Sequence, residues 1–403
     1  MEVEEGIVDL RGAFVLPGLV DAHAHLHGTG HDPAAGDVVR ERLAVYLSSG
    51  VTTIREAGAR GATALELARG TSMPLIQTSG WPIRRPVAVT DAITSARALA
   101  HAGATWLKAY ELSPPELTGV LAVGRETGLR VGAHLGDDPK ASMDMGVEAV
   151  EHVYTLVRHD LVSDEARRSP LIADADRPIA TWALTEPTVG AEARWYETVG
   201  RARPFVTPTL LVMRALQGRP AGMRWGVGAR EAPWATAAER ARWKRSLAAW
   251  GWWKPGPGSS RELRARAFEN LGRTVRSLAD AGCRICVGTD FGEPFIEPGV
   301  GVLDEMRVLR AAGLSTLDVI RGATSVAAAL LGLDGVIGKI IPGARADLLV
   351  VGQDPLDMLE AIAEPILVMA AGRVVVDRRG EPGDAAPGTR DQFAPPPRAG
   401  VTT

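Results

Sequence analysis

The chain has 403 residues, 46% of them hydrophobic, which is enough for one large domain or two ordinary ones with well-buried cores. Its formal net charge of −3 excludes the strongly basic field that attracts nucleic acid. It has no apolar run of about 18 residues, as a membrane-spanning helix needs, and its acidic start, MEVEEGIVDL, lacks a signal-peptide pattern, so we expect a cytoplasmic protein with no membrane partner.

Short apolar runs alternate with segments of helical periodicity from residue 19 to about residue 330. In chain order the apolar runs are GLVDAHAHL, VTTIREAG, PLIQTSG, TWLKAYEL, LRVGAHLG, VEAVEHVY, PFVTPTLLV and CRICVGTDFG. The segments between them include DVVRERLAVYLSSG, ATALELARG, DAITSARALAHAGA and PPELTGVLAVGRETG. This alternation predicts an α/β protein with a parallel sheet and crossover helices. Eight such units in about 300 residues fit a closed (β/α)8 TIM barrel better than an open doubly wound sheet.

The two ends of the chain do not fit the barrel pattern. Residues 1–17 and 336–378 contain β-branched runs bounded by Gly, Pro and Asp, which predict one small composite β-sandwich. The barrel is then expected over residues 18–335. The tail over residues 379–403 is rich in Gly, Pro and Ala, and we expect it to be disordered.

An insertion over about residues 171–268 is too long for an ordinary barrel connection. It holds eight of the ten tryptophans, among them Trp252 and Trp253. One interpretation is a lid or aromatic wall over a pocket, with Trp252 and Trp253 as candidate substrate contacts. The other is a helical insertion with its own tryptophan-rich core.

Cys283 and Cys286 form an isolated C-x-x-C in an apolar run. There is no second pair to complete a zinc site, so both are interpreted as buried core thiols. The absence of a disulfide framework suits a reducing compartment.

Three histidines crowd into the short stretch DAHAHLH. Side chains alternate faces along a strand, so His23 and His25 share one face. Two imidazoles that point into a barrel can both reach one metal ion. Two hydrogen-bonded core histidines are the alternative, which we consider weaker for an H-x-H at the end of a strand.

Further polar residues lie in or directly after later apolar runs. His134 ends LRVGAH, His152 ends VEAVEH, Asp290 ends CRICVGTD, and Lys108 lies within TWLKAY. The carboxyl ends of barrel strands form the mouth at which (β/α)8 active sites lie. Burying so many polar side chains there would be costly without a metal or a catalytic role.

Several motifs together resemble the amidohydrolase superfamily, in its imidazolonepropionase-like and prolidase-like branch. They are LPGLVDAHAHL, GVTTIREAG, GLRVGAHLG, VEHV, VGTD and ATSVAAALLGL…IGKIIPGARADLLVV. The resemblance covers residues from about 7 to 377 and implies a binuclear metal centre.

The resemblance also implies a role for each candidate ligand. His23 and His25 would bind the more buried metal together with Asp290, and His134 and His152 would bind the second. Lys108 matches a position that is carboxylated and bridges two ions. An ammonium group cannot ligate a cation, whereas a carbamate offers two anionic oxygens. The alternative is a one-metal site in which Lys108 pairs with Asp290 or Glu151.

These residues predict a metal-dependent hydrolase with two divalent ions, and zinc is the preferred metal. A metal-activated hydroxide would attack a carbonyl carbon, and Asp290 would move the proton to the leaving amine. Tyr110 and Tyr154 are weaker candidates for contacts to the substrate. The expected partner is a small molecule with an amide bond, namely a dipeptide, an N-acyl amino acid or an aryl amide.

Two alternatives stay open at this stage. The same site could hydrolyse an ester, a lactone or a phosphotriester, because the hydroxide does not dictate the electrophile. A non-enzymatic scaffold with this fold is less compatible with converging imidazoles. The sequence does not decide the oligomeric state, and a homo-oligomer is compatible with it.

Overall fold

The computed structural model describes residues 9–10, 12–27, 36–58, 74–85, 87–163, 177–214, 235–241, 260–293 and 296–379. The strands are β1 (Phe14–Pro17), β2 (Leu19–Ala24), β3 (Val51–Glu56), β4 (Leu75–Thr78), β5 (Ile83–Arg84), β6 (Leu107–Tyr110), β7 (Val131–His134), β8 (Ala149–Glu151), β9 (Phe205–Thr207), β10 (Arg284–Ile285), β11 (Leu348–Val351), β12 (Leu367–Ala370) and β13 (Arg373–Asp377).

The α-helices in the described part of the chain lie mainly between these strands. They are α1 (Gly36–Ser48), α2 (Val89–Ala102), α3 (Pro114–Thr127), α4 (Pro139–Asp144), α5 (Arg177–Leu184), α6 (Gly190–Arg201), α7 (Leu210–Met213), α8 (Arg261–Asp280), α9 (Val300–Ala311), α10 (Thr316–Gly322) and α11 (Ser325–Leu330). Short 3-10 helices follow at Val153–Leu156, His159–Leu161 and Leu359–Ala363. None of these described helices is long and apolar enough to cross a membrane. The expected helix ATALELARG lies outside the described residues.

Parallel strands form the wall of the barrel. Strands β2, β3 and β4 pair in that order, and a second run pairs in the order β10-β9-β8-β7-β6-β5. The Thr105 amide donates to the Thr78 carbonyl at 2.8 Å, which links β4 to the chain entering β6. The Ala22 amide donates to the Val287 carbonyl at 2.9 Å, which links the first barrel strand to the segment after the last. Each of the eight apolar runs contains a strand, and the expected TIM barrel is confirmed.

Strand β5 is a two-residue strand that the apolar pattern does not reveal. Ile83 and Arg84 pair in parallel with Ala109 and Tyr110 at the edge of the longer run. Two residues are too few for any periodicity to be read from a sequence.

The two chain ends meet in a four-stranded antiparallel sheet with the order β1-β11-β12-β13. Phe14 lies opposite Val351, and Leu348 lies opposite Met369. The sheet rests on the barrel at Gly50, whose φ is +81° and whose position leaves no room for a side chain, because a Cβ there would lie 2.8 Å from Leu349 Cδ1. The described residues thus hold one sheet of the expected sandwich, while residues 1–8 and the tail over 380–403 lie outside them.

Part of the tryptophan-rich insertion is described, as helices α5 and α6. Trp182 and Trp195 are both buried, and the Trp195 indole donates to the Leu156 carbonyl at 2.9 Å. Trp252 and Trp253 lie outside the described residues, as do the four remaining tryptophans of this segment. Cys283 and Cys286 are free and buried, as expected, and burial raises the pKa of each thiol to about 12.

A buried aspartate ties the first barrel strand to the end of the last. Asp21 accepts hydrogen bonds from the Thr289 amide at 3.0 Å, the Thr289 hydroxyl at 2.7 Å and the Tyr46 hydroxyl at 3.0 Å. Asp21 and Tyr46 are fully buried. The closure of the barrel therefore depends on one carboxylate that accepts hydrogen bonds from α1 and from the segment after β10.

We expect Asp21→Ala to lower the free energy of unfolding by on the order of 3 kcal/mol, because a buried donor left without an acceptor costs about 1–3 kcal/mol. Urea denaturation measures this. The control is Asp37→Ala, which removes an exposed pair with Arg40 and should change stability little. Equal effects of the two substitutions would contradict the role of Asp21.

Candidate metal centre

The polar residues singled out above lie at the carboxyl ends of the barrel strands. Lys108 is inside β6 and His134 ends β7. His25 follows β2 directly, and His152 follows β8. Asp290 comes shortly after β10, and its backbone amide donates to the His23 carbonyl at 2.7 Å.

Asp290 is the point on which the other groups converge. Its Oδ1 lies 3.4 Å from His23 Nε2 and 3.2 Å from His25 Nε2. Its Oδ2 lies 3.8 Å from His152 Nδ1. His23, His152 and Asp290 each offer a ligand atom, and these atoms all lie within 4.8 Å of one another. That spacing is suitable for a common cation, since metal–ligand bonds to N and O are about 2 Å long.

Lys108 lies beside this group with its side chain buried. Its Nζ is 3.1 Å from His23 Nε2. Burial lowers the pKa of Lys108 to about 8. Its Glu151 neighbour is engaged elsewhere, with Arg55 at 2.6 Å and with His23 at 2.5 Å.

His134 stands at the outer side of the same cluster. Its ring centroid is 5.1 Å from that of His152, and its Nε2 is 3.2 Å from the Tyr154 hydroxyl. Tyr110 stacks on it with ring centroids 4.2 Å apart. Both tyrosines named as candidate substrate contacts therefore line the cluster.

Burial keeps the imidazoles neutral. It lowers the pKa of His23 to about 4, with the Lys108 charge adding to the shift, and that of His152 to about 3. Burial also holds the pKa of His134 well below its usual value. Neutral imidazole is the form that ligates metals.

Asp290 has the opposite electrostatic environment. Burial by itself would raise the pKa of its carboxyl group, but His23, His25 and His152 together hold that pKa well below its usual value. The side chain is therefore an anion at neutral pH.

Some buried nitrogen atoms at this site have no hydrogen-bond partner within the described part of the chain. They include His25 Nδ1 and His134 Nδ1. Buried polar atoms are nearly always satisfied, so these two nitrogen atoms are available to a ligand or to a group outside the described residues.

Three further residues hold this cluster in place, and only one of them, Glu151, was named above, as an alternative partner of Lys108. Arg55 and Glu151 form a buried pair beneath His23, and the Thr209 hydroxyl lies 2.7 Å from His152 Nδ1. The signal for the first two was present, because TIRE and AVEH place charged residues in strands that are otherwise apolar. Thr209 carried no such signal.

A cavity of about 1000 Å³ opens beside the cluster. His134, Tyr154 and Trp182 are on its wall, and Arg85 and Arg158 are at its border. The Trp182 ring lies 5.5 Å from that of Tyr154. An indole of the insertion thus forms part of the wall of the pocket that leads to the candidate metal centre.

The metal-free protein should lose stability as the pH falls below about 6.5. The unfolded chain then binds protons at histidines with a pKa near 6.5, whereas folded His23 and His152 stay neutral until about pH 4 and pH 3. Urea denaturation at pH 8, 6.5 and 5 measures the slope, which should be shallower in His152→Gln. A free energy of unfolding that is flat over this range, or a slope unchanged in the variant, would contradict the assignment.

The chain is similar in part to a known protein family. Residues 264–375 match the model of the amidohydrolase family. Comparison with curated proteins gives no significant sequence match.

Solved structures match most of the chain. Bottromycin amidohydrolase is 25% identical, with a TM-score of 0.65 over 91% of this chain and 77% of the other. A Xaa-Pro dipeptidase with bound methionine is 17% identical, with a TM-score of 0.63 over 91% and 88%. Ochratoxinase of A. niger is 17% identical, with a TM-score of 0.60 over 90% and 83%. The family match over residues 264–375 and this shared fold, of a TIM barrel with a small β-domain, make the chain similar to the amidohydrolase superfamily and to its prolidase-like members.

Proposed function

We propose that the protein is a metal-dependent hydrolase that cleaves the C–N bond of a small amide. The observation that carries the proposal is the convergence of His23, His25 and His152 on the Asp290 carboxylate, inside a barrel mouth that opens into a cavity. The names of two similar structures, a dipeptidase and an amidohydrolase, support an amide as the substrate class.

The donor set suits two divalent ions. Zinc is the preferred metal, because it accepts neutral imidazole and carboxylate ligands. His23, His25 and Asp290 would hold one ion, and His134 and His152 the other. Two observations fit this assignment: the pKa values of His23 and His152 keep both rings neutral, and the buried Nδ1 atoms of His25 and His134 have no partner in the described part of the chain.

Lys108 would bridge the two ions as a carbamate. Only a neutral amine reacts with carbon dioxide, and a pKa of about 8 leaves part of the Lys108 population neutral at physiological pH. The carbamate would replace a buried cation by an anion beside the imidazoles. A buried anion is costly by itself, and the bound metal cations would offset that cost.

When bound, the metal ions would lower the pKa of water to about 7 and polarise the carbonyl oxygen of the substrate. Asp290 accepts the proton of the attacking water at a carboxylate oxygen. A C–O bond forms at the carbonyl carbon, the C–N bond breaks, and Asp290 returns the proton to the leaving nitrogen.

The two tyrosines are placed to donate hydrogen bonds to the carbonyl oxygen. Burial raises the pKa of Tyr110 to about 12 and holds that of Tyr154 well above its usual value. Both hydroxyls therefore keep their protons over the working pH range, as a donor to a developing oxyanion must.

The test is a hydrolysis screen with N-acyl amino acids, dipeptides and aryl amides, using metal-free protein reconstituted with zinc in the presence of bicarbonate. We expect turnover of at least one amide and its loss when the zinc is removed by a chelator. Turnover confined to esters, lactones or phosphotriesters would contradict the amide as the substrate class and would assign one of those classes instead. Equal turnover with and without metal would refute it.

Asp290→Asn should reduce kcat by about a hundredfold or more, the usual contribution of a positioned proton-transfer group, while the protein retains most of its metal. An amide oxygen can ligate but cannot carry the proton. The control is Asp144→Asn on helix α4, an exposed carboxylate paired with Lys140. Retention of a tenth of the wild-type rate in Asp290→Asn would contradict the role of Asp290.

The wall of the cavity favours a substrate with an aromatic or large apolar group. Trp182→Ala should raise KM for an aryl amide by about tenfold relative to a small aliphatic amide, because it removes apolar contacts from the wall. Trp195→Phe is the matched control, since Trp195 is buried in the same segment and bonds to Leu156 instead of lining the cavity. A Trp182→Ala variant that changes only the melting temperature would show that this indole has a purely structural role.

A further inference from the structure

The two nitrogens of His23 face groups of opposite hydrogen-bonding character. Nδ1 lies 2.5 Å from Glu151 Oε2, and a carboxylate only accepts hydrogen bonds. Nε2 lies 3.1 Å from Lys108 Nζ, and an ammonium group only donates them. Both contacts demand the same tautomer, with the proton on Nδ1 and the lone pair on Nε2.

The remaining contact of the ring does not oppose this assignment. Asp290 Oδ1 lies 3.4 Å from Nε2, which is longer than the usual N–H···O distance of about 3.0 Å. The short bond is therefore the one to Glu151.

Glu151 is itself held from below. Its second oxygen, Oε1, accepts a hydrogen bond from Arg55 Nη1 at 2.6 Å. Glu151, Arg55 and His23 are each at most 1% exposed, so this pair lies in the dry interior of the barrel. A carboxylate there costs several kcal/mol unless it is paired and hydrogen-bonded, and Arg55 provides that compensation.

Arg55 has almost no freedom to move. Its guanidinium carbon lies 3.5 Å from the centroid of the Trp106 ring, and Nη1 also donates to the Ala22 carbonyl at 3.3 Å. Gly132 on β7 provides the space, since a Cβ there would lie 2.5 Å from Arg55 Nη2, 2.6 Å from Glu151 Oε1 and 2.7 Å from the Trp106 ring. A planar group stacked on one ring and bonded at its edge holds its partner in one orientation.

We propose that Arg55 is a positioning residue, which acts through Glu151 to fix His23 in its Nδ1–H tautomer and to leave the Nε2 lone pair directed at Lys108 and Asp290 before any metal binds. The chain Arg55–Glu151–His23 runs from the barrel floor to the candidate metal centre. Partners of this kind, which lie behind a ligand, typically change metal affinity by 10- to 100-fold. The tautomer is a property of the metal-free protein, while the effect on metal affinity rests on the proposed function.

The experiment is ¹⁵N NMR of the metal-free protein labelled at histidine, with the His23 signals assigned by their loss in His23→Gln. The wild-type protein should show a protonated Nδ1 and an unprotonated Nε2, the reverse of the tautomer that free histidine prefers. A protonated Nε2 with an unprotonated Nδ1 in the wild type would overturn the proposal without any variant.

Arg55→Met tests the role of the guanidinium. We expect a mixture of His23 tautomers and zinc binding weakened 10- to 100-fold by competition with a chromophoric chelator. Arg55→Lys, which restores the charge, should recover part of the Nδ1–H population. Wild-type tautomer and wild-type zinc affinity in Arg55→Met would overturn the proposal.

Arg130→Met is the matched control for loss of a stacked arginine. Arg130 lines the same cavity at the barrel floor as Arg55, stacks over Phe205 at 4.9 Å and donates to the Ala329 carbonyl at 2.7 Å. The Arg130→Met variant should have an altered melting temperature but unchanged His23 signals. If the wild-type protein binds no metal, the proposed function is wrong. The tautomer measurement on the metal-free protein still tests whether Arg55 positions His23.

Discussion

The fold is organised around negative charge that is kept inside a dry barrel. Asp290 and Glu151 are both buried anions, and each is stable there only because the surrounding strands bring compensating groups to it. Arg55 and His23 compensate Glu151, while three imidazoles surround Asp290. A bound metal ion would add to the compensation of Asp290, which supports the proposed metal centre at this mouth.

The same constraint explains the unusual backbone at the ends of the strands. His152, Thr209 and Asp290 have φ values of +63°, +49° and +59°, a region that residues other than glycine seldom occupy. Each of them lies after the end of a barrel strand and contributes a side chain to the cluster. Hydrogen bonds such as those from the His152 amide to the Thr207 carbonyl, at 2.9 Å, and from Asp290 to His23 hold these conformations in place. Strain of this kind is typical of functional sites and depends on a rigid surrounding scaffold.

The described part of the insertion holds both a tryptophan of the core and a tryptophan at the wall of the cavity. Trp195 packs as a core residue, whereas Trp182 packs against Tyr154 at the wall of the cavity. The two indoles meet different neighbours because they lie on different helices, Trp182 on α5 and Trp195 on α6. The wall of the pocket is thus built partly by residues at the ends of barrel strands and partly by this segment.

The sequence by itself determined the strands, their parallel order and the polar residues at their ends, because apolar runs of strand length and an H-x-H alternation are local properties of the chain. It also indicated that His23, His25, Lys108, His134, His152 and Asp290 belong to one mouth, since the carboxyl ends of barrel strands meet there. The tertiary structure alone decided which of these atoms face one another, that Glu151 is hydrogen-bonded to His23 and Arg55, and that Arg55, Trp106 and Gly132 form the floor. These contacts join residues that are far apart in the chain, as His23 and Glu151 are at 128 positions, and no local pattern carries the orientation of side chains across a closed barrel. The burial that shifts their pKa values likewise exists only once all the strands have assembled.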